Sequence, residues 1–171
     1  NATCEQPQLP IEEYDWDFYQ RMIDFFIKSP FLMTQRGITH MKEQQWGRII
    51  NIGGLSGRYA GAISGMRNAA VAHLTKTLSG QLGPYKITVN AIHPGTIRTE
   101  RTIPVYESES IRTNRSKDEL ESQANSKQAI GRIVDASEIG NLVCFLSSDK
   151  AAAITGQIIG IDGGAGNAVF Y

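Results

Sequence analysis

Residues 87–95, Ile-Thr-Val-Asn-Ala-Ile-His-Pro-Gly, decide the fold class. The β-branched run 87–92 favours an extended chain and His93-Pro94-Gly95 ends it, so a buried strand is predicted there. Two more short apolar runs, RIINI at 48–52 and QIIGI at 157–161, read as strands by the same reasoning. Between the first two runs, Val71, Leu74, Leu78 and Leu82 recur at helical spacing until Gly83-Pro84, which predicts a helix over 64–82 with those residues facing the core. Between the last two, Asp135-Ala-Ser-Glu138 has the spacing of a capping box and leads a helix carrying Ile139, Val143 and Leu146. Strand, helix, strand, helix, strand spells an α/β protein with a Rossmann-like doubly wound parallel sheet. Three strands make a small sheet, and 48–52 as an outer strand would leave an apolar edge unless something pairs with it. The pattern is that of the C-terminal half of such a domain.

The rest of the chain extends this frame. Residues 1–14 are polar with two prolines and predict an irregular entry segment. From Asp15 to about Gln45 the pattern is helical, with Asp15 and Asp17 as capping residues and Phe18, Met22, Phe25 and Phe26 at helical spacing. Pro30 should end or kink that run, giving a short helix and then a longer one through Met33 and Met41. Residues 100–130 form a polar excursion; 11 charged side chains fall within 100–128, and a single short helix around 117–122 is expected. Residues 1–171 thus read as one domain.

Composition narrows the function classes. The 17 basic and 17 acidic residues cancel, leaving no excess positive charge to neutralise phosphates, so a nucleic-acid partner is not expected. No apolar stretch reaches the roughly 18 residues of a membrane span. Cys4 and Cys144 are far apart with no metal-ligand spacing, which excludes a zinc finger and a disulfide scaffold and makes a reducing, cytoplasmic setting the expectation; no metal site is expected. The first residue is Asn1, and no apolar leader follows it, so the reading expects either removal of an N-terminal portion or a longer parent chain.

Several landmarks stand in order along the chain: Asn1-Ala2, GRIINIGG ending β-type run 48–52, the central helix AVAHLTKTLSGQL, His93-Pro94-Gly95 with Thr99 following, and Asp162-Gly163-Gly164. Each is weak alone. Together, over roughly residues 1–164, the chain resembles the short-chain dehydrogenase/reductase family. The resemblance implies a cofactor, NAD or NADP, with Asn1 and Ala2 as the remnant of the family's Asn-Asn-Ala-Gly turn, Ile52 at a strand end, and Pro94, Gly95, Thr96, Ile97 and Thr99 holding the nicotinamide carboxamide. Glycine there lets backbone come close to a ring, and free N–H and C=O groups read an amide. The resemblance also implies a small-molecule alcohol or carbonyl substrate, a homodimer or homotetramer, and a substrate-lid position for 100–130, where Ile103 and Tyr106 could cover a pocket. No glycine-rich strand-turn-helix for pyrophosphate is present: the glycines at 53–57, 156–160 and 164–166 stand in the wrong context and read as structural. The family's N-terminal half, with its adenosine and pyrophosphate site, is expected to lie outside this chain.

The catalytic positions depart from the family. Its Tyr-x-x-x-Lys pair places a phenol and an ammonium on one helix face, and the ammonium lowers the phenol pKa for proton exchange. Ser64 stands at the Tyr position and Asn68 at the Lys position. The strand-end Ser that polarises a carbonyl maps to Gly54, and the helix Asn of the proton relay maps to about Phe26. Tyr59 with Arg67 could stand in, although a loop Tyr and a surface Arg are the plainer reading. His40, His73 and His93 have no metal-ligand spacing and read as ordinary core or surface histidines, and the aromatic residues near Trp16 read as core or subunit contacts. Two functions follow: an atypical oxidoreductase of this family, or a non-catalytic homologue that senses nucleotide or serves as a structural subunit.

Overall fold

The computed structural model describes residues 10–58, 63, 65–100 and 102–166. In chain order the elements are α1 (Trp16–Ile23), α2 (Ser29–Gln44), β1 (Gly47–Ile52), α3 (Gly65–Leu82), β2 (Ile87–Pro94), β3 (Ile97–Arg98), α4 (Thr102–Thr113), α5 (Lys117–Ser126), β4 (Val134–Asp135), α6 (Ala136–Ser147) and β5 (Ile158–Ile161). The sheet order β1-β2-β5 is parallel throughout, with Ile49 opposite Val89 and Ala91 opposite Ile158. Helical crossovers allow that direction, and the three strands expected from sequence are all present. A separate short parallel pair, β3 with β4, was not legible as strands because each is two residues long.

Helices cover both faces. Leu82, Ile87 and Val89 pack with Ile38 and Met41 on one side, and Ile92, Leu146 and Ala151 pack with Ile139 and Val143 on the other. β2 is buried from Ile87 to His93 because it is central and covered twice. Its polar Asn90 is satisfied within the fold: the amide donates to the Ile154 carbonyl (2.8 Å) and accepts from the Gln157 N–H (3.1 Å), which fastens the chain just before β5. β1 is an edge strand of this sheet, as the sequence reading anticipated.

Three expectations need correction. Pro30 does not end the helical run: a π-helical turn (Asp24–Lys28) joins α1 to α2, and Pro30 sits in the first turn of α2, where its missing N–H is harmless. On α3, Val71 and Leu82 are buried but Leu74 and Leu78 are only half-buried; the buried face also carries Asn68, Ala72, Thr75 and Ser79. The reason is Asn51 of β1, whose amide donates to Thr75 Oγ1 (3.0 Å) while the Thr75 hydroxyl donates to the Val71 carbonyl (2.8 Å), so polar residues are satisfied where an apolar stripe was expected. The excursion at 100–130 holds two helices rather than one. α5 starts at a full capping box, Ser116 with Glu119, whose Ser-x-x-Glu spacing was readable from sequence. Neither α4 nor α5 contributes a buried residue, so these helices lie on the surface. No helix among the described residues is long and apolar enough to cross a membrane.

Candidate active site

Parallel strands bring the C-terminal ends of β1 and β2 side by side. The Gly53 N–H donates to the Ile92 carbonyl (2.9 Å), so pairing continues one residue past β1 before a 3-10 turn, Leu55–Gly57, leads toward α3. On β2 the Gly95 N–H donates to the Ile161 carbonyl (2.8 Å), which fixes the exit of the chain into 96–99. That exit is where a ligand crevice belongs in an open α/β sheet.

His93 is fully buried beneath the 55–58 turn. A Cβ on Gly53 would lie 2.5 Å from its Nε2, so glycine at 53 makes room for the ring. Burial first, and then the Arg58 charge, lowers its pKa from 6.5 to about 4, which leaves a neutral core imidazole at pH 7 rather than an acid. Arg58 itself is anchored by donating to the Ile158 carbonyl (2.7 Å). His40 and His73 are exposed, and among the described residues no cluster of three His, Cys, Asp or Glu could hold a metal.

Across the turn, Asn68 is buried on α3 and its Nδ2 donates to Ser56 Oγ (2.8 Å). Arg67 is buried as well, its guanidinium 3.7 Å from the centroid of the Phe26 ring. The surface Arg expected from sequence is therefore a core contact; the π-helical turn aims Phe26 at α3, and a planar guanidinium stacks on an aromatic face. A groove of about 490 Å³ between α2 and β1 is lined by Phe26, Ile52 and Asn68 among others, with Met33 and Met41 along it.

The 96–99 segment leads into the excursion. The Thr96 backbone N–H has no partner among the described residues, and Thr96 is exposed just ahead of the β3–β4 pairing of Ile97 with Val134. Thr99 and Thr102 cap the start of α4, with the Thr99 N–H donating to Thr102 Oγ1 (2.9 Å) and the Thr102 N–H to the Thr99 carbonyl (2.9 Å). Arg98 pairs with Glu121 (2.6 Å) and Asp135 (3.6 Å), fastening α5 beside β3. Beside that cluster, burial and then the Glu121 charge raise the Tyr106 phenol above its usual value of 10.0, so it is a poor proton donor.

A family model described as enoyl-(acyl carrier protein) reductase matches residues 1–166. The chain belongs to the short-chain dehydrogenase/reductase family. Among curated members of the family it is 39% identical over 134 residues to the NADPH-dependent reductase BacG of Bacillus subtilis (strain 168), covering 77% of this chain and 52% of that protein. It is 31% identical over 165 residues to the 3-oxoacyl-[acyl-carrier-protein] reductase FabG of Aquifex aeolicus (strain VF5), covering 95% and 61%. Of solved structures, YwfH, described as an NADPH-dependent reductase involved in bacilysin biosynthesis, superposes with a TM-score of 0.84 at 30% identity, covering 99% of this chain and 66% of that one. The chain thus spans between about half and two-thirds of the length of these relatives.

Set on the short-chain dehydrogenase/reductase pattern, the residues expected from sequence divide into three groups. Phe26, Ile52 and Asn68 come together on one groove. Pro94, Gly95, Thr96, Ile97 and Thr99 form a separate crest at the end of β2. Asn1, Ala2, Tyr59 and Ser64 lie outside the described residues, as does Cys4. At Gly95 the close approach is made by Asp162, whose Cβ would lie 2.7 Å from an added Cβ, so packing within the chain already demands glycine there. Sequence reasoning passed over Ser56, whose hydroxyl accepts from Asn68.

Proposed function

We propose that the whole protein is an NAD(P)-dependent oxidoreductase acting on an alcohol or carbonyl substrate, with an atypical active site. The observation that carries this reading is the β2 exit: a parallel strand ending in Pro94-Gly95, followed by the exposed Thr96, whose backbone N–H has no partner among the described residues. A carboxamide requires one donor and one acceptor; the Thr96 N–H offers the donor and the exposed Thr99 hydroxyl an acceptor, so the residues present fit the nicotinamide end of the cofactor. Thr96 and Ile97 would hold the carboxamide by backbone groups, with the Thr99 hydroxyl beside them. A bound nicotinamide supplies or accepts a hydride. The names of the relatives, two of them NADPH-dependent reductases, favour NADP over NAD.

What this chain's own residues do differs from the family's usual chemistry. Asn68 brings a neutral amide where an ammonium would depress a phenol pKa, and that amide is already bonded to Ser56. No residue described here therefore ionises a proton donor at pH 7, and the proton exchanged with the substrate oxygen comes from water. Losing a positioned acid–base pair costs roughly 10²–10⁴ in rate. The same observation favours the second reading, a non-catalytic homologue.

Fluorescence titration of the whole protein with NADPH and NADH, followed by turnover against ketones and secondary alcohols, separates the two. Cofactor binding with slow turnover is expected. Absence of binding overturns the cofactor site; binding with a flat substrate panel leaves the non-catalytic reading. The Ser64→Tyr/Asn68→Lys double variant tests the departure directly: appearance of turnover only in that variant marks the native chain as a sensor. Self-association into a homodimer or homotetramer, in a reducing cytoplasm, belongs to the same proposal. It is supported by the exposed Trp16, Phe31, Leu32 and Met33 on α1 and α2, and light scattering reads it.

A further inference from the structure

We propose that the cavity at the N-terminal ends of β1 and β2 binds a small organic carboxylate with an apolar or aromatic body. The site stands apart from the β2 exit and does not depend on the oxidoreductase reading.

Its position follows from the parallel sheet. Arg48 and Thr88 pair in register near the starts of β1 and β2. They therefore lie at the opposite pole from the exit at Gly95, about 23 Å away along the strand at roughly 3.3 Å per residue. The cavity there measures about 460 Å³, within the size range of small-molecule sites. Its wall includes Trp46, Arg48, Lys86, Thr88 and Asp149, with Ile87 and Ala152 as the apolar part.

Two buried polar side chains of this wall are left with unused hydrogen-bonding groups. The Arg48 side chain is 7% exposed, whereas that of Asp149, its ion-pair partner, is 88% exposed. Asp149 Oδ1 accepts from Arg48 Nη2 and from the Trp46 indole N–H, both at 3.2 Å. Arg48 Nη1 donates to the Gly47 carbonyl (2.9 Å), and the guanidinium carbon lies 4.8 Å from the Trp46 ring centroid. These contacts fix the guanidinium in the wall, yet its Nε has no partner. Thr88 is 6% exposed, and its hydroxyl makes no hydrogen bond among the described residues. Buried polar groups without partners are rare in folded proteins, and here two of them meet one cavity.

The charge balance selects the ligand. Water screens the exposed Asp149 carboxylate far more than the buried guanidinium, so the cavity keeps a positive potential. Lys86, exposed on the rim, forms no ion pair among the described residues and adds a second positive charge. Two cations against one carboxylate leave one surplus positive charge, which matches a monoanion. A ligand carboxylate accepts from the Thr88 hydroxyl and faces Lys86, while Ile87, Ala152 and the half-exposed Trp46 ring cover its apolar body.

The test titrates the whole protein with benzoate, with benzamide as the neutral molecule of the same shape, and with acetate as the anion without a body. The ¹⁵N–¹H resonance of the Trp46 indole reads binding, and that of Trp16 serves as an internal control. Benzoate is expected to shift the Trp46 signal saturably and leave Trp16 in place. Thr88→Val keeps the shape of a buried strand residue and should weaken benzoate roughly three- to tenfold, the worth of one net hydrogen bond. Lys86→Gln should weaken it roughly two- to fivefold, as for an exposed ion pair. NADPH affinity, read by fluorescence, should be unchanged in both variants. Shifts that grow linearly without saturating, or benzoate affinity unaltered by Thr88→Val, overturn the site. Benzamide binding as tightly as benzoate overturns the charge argument, and acetate binding as tightly overturns the apolar body.

Discussion

Lowering the pH from 7 to 4 should destabilise this protein through one buried side chain, His93. The ring is fully buried and fills the space a Cβ on Gly53 would need, and burial followed by the Arg58 charge brings its pKa from 6.5 to about 4. Above pH 6.5 the ring is neutral in both folded and unfolded chains, and its contribution to stability is complete and constant. Between 6.5 and about 4 the unfolded chain binds the proton and the folded one does not, so stability falls as the pH falls. Below about 4 both forms are protonated and the loss is complete, roughly 3 kcal/mol at about 1.4 kcal/mol per pH unit. That is a large share of a typical domain stability of about 5–15 kcal/mol. Glu138, whose carboxyl the Arg132 hydrogen bonds and then the Asp135 N–H hold at about 2, also loses stability as the pH falls toward its unfolded value of 4.5, but that slope is common to the wild type and a His93 variant and cancels between them. The assay is urea unfolding followed by tryptophan fluorescence at half-unit steps from pH 7 to 4, on the wild type and on His93→Gln. The variant removes the titration, so the difference between the two slopes should approach about 1.4 kcal/mol per pH unit. Parallel slopes would refute the account of His93 as a neutral core residue.

The packing and capping arguments give two more expectations. Leu82→Ala removes a side chain that is 1% exposed and in contact with Ile87 and Val89, and it should cost about 2–5 kcal/mol in the same urea assay. Ser116→Ala removes the cap of α5, and should cost about 1 kcal/mol and speed amide exchange across 117–126 while leaving exchange in β2 unchanged.

The fold was legible because its signals are local and periodic. Three β-branched or apolar runs separated by helical patterns specify a parallel sheet almost without tertiary information, and the 135–138 capping box placed the start of α6. What escaped was settled by contacts between distant segments. Arg67 reads as a surface residue until the π-helical turn brings Phe26 onto it, 41 positions earlier in the chain. Thr75 and Ser79 read as the polar side of α3 until Asn51 is seen to meet Thr75 across the sheet. At the site, register set Asn68 against the family's lysine position as an expectation, whereas its hydrogen bond to Ser56, 12 residues away, depends on a turn seated by two glycines and has no local signal.

Two of the positions singled out from sequence, Gly54 and Asn68, meet in space, and a third, Phe26, meets the neighbour of Asn68. A side chain restored at Gly54 would press within 3.2 Å of the Asn68 amide and compete with its bond to Ser56. An asparagine restored at Phe26 would take away the ring on which Arg67 lies, a stack worth about 0.5–2 kcal/mol for a desolvated guanidinium. Each single reversion therefore meets an arrangement already adapted to its absence.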